Sequence, residues 1–173
     1  MRFCPECGGK VAITRPEGDT ADRHVCTICE TIHYINPKVI VGAVCHWDDK
    51  VLLCRRAIEP RTGYWTVPAG FMEIGESTEE GAVRETWEEA TARIEIQGLL
   101  GMYNIVRLSQ VQIFYTARLL SPDFAAGIET LELDLFSWDD IPWDDLAFPT
   151  VHWILQKALA TRGQVGGVVP DTR

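Results

Sequence analysis

Apolar residues recur along this chain in two rhythms, one suited to strands and one to helices. Residues 39–45 (V-I-V-G-A-V-C) and 51–55 (V-L-L-C-R) are dense, β-branched runs, and the polar Asp48-Asp49-Lys50 between them predicts a hairpin. Residues 94–105 and 111–120 predict two longer strands about a turn at Leu108-Ser109. Another strand is expected over 133–138, closed by Asp139-Asp140-Ile141-Pro142. Helical spacing appears at Val151, Ile154, Leu155, Ala158 and Leu159, which predict an amphipathic helix over 149–162 with Pro149 in its first turn and Gly163 as its stop. Residues 164–173 then read as a flexible tail.

A second helix is announced by Ser77 and Glu80, the reciprocal pair of a capping box, and is expected from Thr78 to about Thr91. At roughly 100° per residue, Glu85, Glu88 and Glu89 share about a third of its circumference. Val83, Thr86, Trp87 and Ala90 lie opposite and are expected to face the core. Carboxylates crowded at i, i+3 and i+4 repel by roughly 0.2–0.5 kcal/mol per pair on an isolated helix. A hard divalent cation reverses that sign, since Mg²⁺ and Mn²⁺ take carboxylate oxygens and are commonly completed by water and phosphate oxygens. A merely solvated acidic helix is the competing reading, and charge alone would favour it.

The 173 residues allow one full domain and a small appendage, and 46% hydrophobic content is enough for a core. A net charge of −9 argues against sequence-independent nucleic-acid binding, which depends on Lys and Arg. The anion handled should be small and bridged by metal. No apolar run approaches a membrane span, and Met1-Arg2-Phe3-Cys4-Pro5 is unlike a secretory leader, so the chain is read as cytoplasmic. Of six cysteines, Cys4, Cys7, Cys26 and Cys29 form two C-x2-C pairs, the spacing of a Cys4 zinc ribbon over residues 1–35. Four sulfur ligands leave such a zinc closed and structural; two disulfides are the alternative, disfavoured in a reducing compartment. Cys45 and Cys54 read as small buried hydrophobes, and His24 and His33 as surface residues, with spare zinc ligands as the alternative.

The order of Gly70, Glu76, Arg84, Glu85, Glu88 and Glu89, G-x5-E-x7-R-E-x2-E-E, closely resembles the signature box of the Nudix hydrolases. Thr91 stands where that family usually has Gly, and Thr86 and Ala92 where it usually has aliphatic residues, so an altered helix exit is expected. The resemblance implies an α/β fold, an α/β/α sandwich with a mixed sheet, over residues 36–163. It implies Mg²⁺ or Mn²⁺ on Glu85 and Glu89, Glu88 assisting or positioning water, Glu85 or Glu88 as the base, and an Arg84–Glu76 ion pair bracing the loop. Downstream, Glu129 of an E-x2-E would complete the metal cluster, with Glu132 in reserve. Arg55, beside Arg56, would approach the substrate phosphates, a solvated pair being the alternative. Trp65 and Phe71 are candidates for a base or flavin pocket, core packing being the alternative.

Two ribbon-bearing branches of that family compete on substrate. NADH pyrophosphatases carry S-Q-P-W-P-F-P downstream of the box, whereas residues 101–110 here read G-M-Y-N-I-V-R-L-S-Q. The V-P-A-G-F, R-E-T-W-E-E-A and E-x-L-E segments resemble instead the FAD and ADP-ribose pyrophosphatases. The expected activity is therefore cleavage of ADP-ribose or FAD to AMP and ribose 5-phosphate or FMN. NADH pyrophosphatase is the alternative, and a non-catalytic Nudix-like binding module the second. The expected partner is a small nucleotide rather than nucleic acid or membrane. The resemblance also implies a homodimer, with the ribbon or the first strand as its contact.

Overall fold

The computed structural model describes residues 1–161 and 171–172, and the chain divides into two compact units, Met1–Pro37 and Lys38–Arg173. In the first unit β1 (Val11–Thr14), β2 (Arg23–Cys26) and β3 (Ile32–His33) form an antiparallel sheet in that order. Arg23 clamps Asp19 through Nε and Nη2, at 2.8 and 3.1 Å, and so closes the loop between β1 and β2. Two tight turns, at 4–9 and 26–31, present Cys4, Cys7, Cys26 and Cys29, whose ligand atoms all lie within 4.8 Å of one another. Sulfur contacts of 3.7 Å (Cys4–Cys29) and 3.4 Å (Cys7–Cys26 and Cys7–Cys29) are too long for a bond. They match the edges of about 3.8 Å that a tetrahedron of Zn–S bonds near 2.3 Å requires. The four sulfurs thus fit zinc. His33, half-buried, brings its Nε2 to 3.3 Å from Cys4 Sγ, the nearness a spare ligand would have.

The second unit is built on a mixed sheet. Its strands are β4 (Lys38–Trp47), β5 (Lys50–Arg56), β6 (Trp65–Thr66), β7 (Ala69–Phe71), β8 (Ile94–Ile105), β9 (Gln110–Leu119), β10 (Thr130–Ser137) and β11 (Asp171–Thr172). The order is β10-β5-β4-β9-β8-β11, with β4 and β9 parallel and β8 antiparallel to β9. The flexible tail expected over 164–173 lies outside the described residues except at β11, which pairs in parallel with β8. Alternation along the strands sends apolar residues to both faces. Val41, Ala43, Cys45, Leu52 and Cys54 meet Ala82 and Ala90 of α1 (Thr78–Ala90) on one face. Val44, Val51 and Leu53 share a cluster with Val151, Ile154 and Leu155 of α2 (Pro149–Ala160) on the other. Both faces are covered, giving the sandwich expected.

One facing is corrected. Val83 and Trp87 of α1 are exposed, by 38% and 48%, and Trp87 takes the Arg93 guanidinium over its ring at 5.9 Å. The buried stripe is Ala82, Thr86 and Ala90, flanked by Gly81, Glu85 and Glu89. Small side chains let the helix approach the sheet closely, which outweighs the larger apolar area of Trp87. Buried Thr86 satisfies its hydroxyl on the Ala82 carbonyl at 2.8 Å.

Candidate active site

Backbone topology brings the box loop to the helix. β4 and β5 pair only next to their turn, at His46–Val51 and Trp47–Lys50. Beyond it β6 pairs with β5 and β7 with β4, so residues 65–71 run between the parted strands. Gly70 is thereby pressed against α1, where a Cβ would collide with the Glu85 carboxylate. A side chain there would have to displace that carboxylate. The helix begins as expected: Ser77 Oγ accepts from Glu80 N–H at 3.2 Å, and Glu80 Oε2 from Ser77 N–H at 2.7 Å.

Arg84 is the hub of the acidic face. Its Nε and Nη2 donate to the two oxygens of Glu76 at 3.0 and 2.9 Å, and Nη2 also reaches the Phe71 carbonyl at 3.0 Å. Nη1 bridges Glu85 Oε1 and Glu88 Oε2 at 2.8 and 2.9 Å. All of the guanidinium's hydrogen-bonding capacity is used within the site. Paired with Arg84, the Glu76 carboxyl is held down at about 2.

Glu89 receives no such compensation. It is 8% exposed, and its Oε2 is buried without a hydrogen-bond partner. Burial, followed by the negative charge of Glu85, pushes its carboxyl up to about 8, against an opposing pull from Arg56 and the Ala69 backbone N–H. Burial also raises Glu85, despite Arg84. The charge of Glu129 bears on both Glu85 and Glu89, so the loop acid does come within electrostatic reach of the box. An orphaned carboxylate oxygen amid like charges, beside a glycine cradle, fits a hard cation. Among the described residues, the four cysteines are the one set of three or more side chains gathered closely enough to hold a metal ion.

The remaining candidates are placed as follows. Arg55 pairs with Glu132 at 3.0 Å, its neighbour across β10, and donates to the Gly63 carbonyl at 2.9 Å. Arg56 is the basic residue whose charge reaches Glu89; its guanidinium lies over Phe148 at 5.1 Å and its Nε donates to Pro60 O at 2.9 Å. Sequence could have singled it out, because a period of two puts Arg56 on the face of Leu52 and Cys54, toward α1. Trp65 packs edge-on to Phe136 at 4.9 Å against the α2-side core. Phe71 is half exposed, with Lys38 Nζ over its ring at 4.9 Å.

The same segments match two family models, Nudix N-terminal over residues 2–35 and the NUDIX domain over residues 36–155. The chain belongs to the Nudix hydrolase family. A crystal structure of a NUDIX hydrolase from Nitrosomonas europaea is 49% identical, superposes with a TM-score of 0.95, and covers 100% of this chain and 99% of its own. An ADP-ribose pyrophosphatase of Methanocaldococcus jannaschii is 31% identical over 63% of this Nudix chain and 67% of its own length. The NAD-capped RNA hydrolase NudC of Vibrio atlanticus is 32% identical over 84% of this chain, which spans 50% of that protein. No helix among the described residues is long and apolar enough to cross a membrane.

Proposed function

We propose that this Nudix protein hydrolyses the diphosphate bridge of ADP-ribose or FAD, releasing AMP, with Mg²⁺ or Mn²⁺ held by Glu85, Glu89 and Glu129. The observation that carries the reading is the buried, unpartnered Glu89 Oε2 within reach of two further carboxylates. The bound cation would supply Lewis acidity to the phosphate oxygens and a water of lowered pKa. Glu88, exposed at the rim, is fixed through Oε2 by Arg84, which leaves Oε1 to take the proton of the attacking water. That water's oxygen joins one phosphorus while the bridging oxygen departs with the other. Arg56 offers its guanidinium to the phosphate charge beside Glu89. Arg84 offsets the carboxylate repulsion when the site is empty of substrate.

A second reading, NADH pyrophosphatase, is supported by the reach of the NudC similarity, 84% of this chain. Parallel assays of AMP release from ADP-ribose, FAD and NADH, and of nicotinamide mononucleotide release from an NAD-capped oligoribonucleotide, each with Mg²⁺ and with Mn²⁺, separate the two. ADP-ribose or FAD is expected to give the highest kcat/KM. Preference for NADH or the capped RNA would transfer the assignment, and turnover of none of them would favour a binding module. Glu89→Gln is expected to lower kcat/KM by more than about 100-fold, beyond the usual loss for a residue that only supports a ligand. An unchanged circular-dichroism spectrum would assign that loss to the site.

A further inference from the structure

The last turn of any α-helix leaves carbonyls without helical partners, and α1 spends them on the loop that carries Glu129. Ala90 O accepts from Ala125 N–H at 2.9 Å and Glu89 O from Gly127 N–H at 3.0 Å. Gly127 lies so close that a Cβ would collide with the Glu88 carbonyl. Thr91 closes the helix in the left-handed region, at φ 46° and ψ 24°, a conformation ill suited to a β-branched residue. Its hydroxyl compensates by gripping Ala125 twice, accepting from the backbone N–H at 2.9 Å and donating to the carbonyl at 3.1 Å. From there the chain turns through Gly127, whose carbonyl accepts from Thr130 N–H at 3.1 Å, and Glu129 O accepts from Ala57 N–H at 2.8 Å beside β5. Glu129 is thus set in a short turn pinned to the helix at one end and to the sheet at the other.

We infer that Thr91 is a positioning residue for the metal site: its hydroxyl clasps the 125–127 segment to the end of α1 and so holds Glu129 in register with Glu85 and Glu89. The inference rests on the reading of Glu129 as a metal ligand. Backbone strain at a functional position, maintained by specific side-chain bonds, is what such a role requires. A glycine at position 91 would adopt the same backbone without strain but leave the loop unclasped.

The test is Thr91→Gly, which removes the hydroxyl while favouring the fold. Binding of Mn²⁺ alone, followed by electron paramagnetic resonance of the free ion, is measured together with the Mn²⁺ dependence of hydrolysis. Thr91→Gly is expected to weaken Mn²⁺ binding about 5- to 10-fold, a shift that falls within the loss typical of residues orienting a ligand. Melting temperature should stay the same or rise, and kcat at saturating Mn²⁺ should be close to wild type. Thr91→Ser should restore wild-type binding. In a Glu129→Gln background Thr91→Gly should have no further effect, because the two act through one contact. Wild-type Mn²⁺ affinity in Thr91→Gly, beside weakened affinity in Glu129→Gln, would overturn the positioning role and spare the metal reading. Unchanged affinity in Glu129→Gln would overturn both.

Discussion

A single guanidinium organises the charge of the acidic helix. Arg84 binds Glu76, Glu85 and Glu88 together, which turns a repulsive row of carboxylates into a network that can stand without an ion. Its bond to Glu76 is also a pH statement. The folded carboxyl lies at about 2, below its ordinary value near 4.5, so its contribution is complete above that ordinary value and is lost as pH falls toward 2. In urea titrations of the metal-free protein, Arg84→Met is expected to be less stable than wild type at pH 6. The two should converge as the pH is lowered through that window. A constant offset across that window would show that the stabilisation does not come from the Glu76 carboxylate, and coincident curves that the pair contributes nothing to folding.

At the level of elements, the sequence was readable where local chemistry decides and misleading where packing does. The Ser77–Glu80 box fixed the start of α1, and the hairpin at Asp48-Asp49 and the Pro149 helix start were placed by turn and cap residues. The side of α1 that faces the sheet was read correctly at Thr86 and Ala90 and misread at Val83 and Trp87, because hydrophobicity favoured those two whereas close approach selected small Ala82. The link from Arg56 to Glu89 was half legible, since strand alternation groups Arg56 with Leu52 and Cys54 but does not say which face of β5 meets the helix. Trp87→Ala is accordingly expected to change unfolding free energy by no more than about 0.5 kcal/mol. Ile154→Ala, which empties a fully buried position under α2, should cost roughly 2–5 kcal/mol. Guanidinium denaturation of the two variants distinguishes these values directly.

For the molecule as a whole, the order of elements was legible but the sheet order was not, because the parallel pairing of β4 with β9 joins residues about seventy positions apart and no local signal encodes it. The zinc ribbon was the opposite case: four cysteines at set spacing specify both ligands and fold. Cys26→Ser is expected to lose most of the zinc, about one ion per chain in wild type, and to unfold the first unit. The second unit, with a core on each face of its sheet, should keep its own unfolding transition. Zinc released on denaturation, quantified with a chromogenic chelator, checks the first outcome and calorimetry the second.

The parting of β4 from β5 has a practical corollary. Their joined tip at Trp47 and Lys50 lies about six residues up-strand from the Val41–Gly70 pair, or roughly 20 Å at strand rise. A fluorophore or short epitope grafted between Asp48 and Asp49 would therefore report on the molecule from a handle well clear of its chemistry.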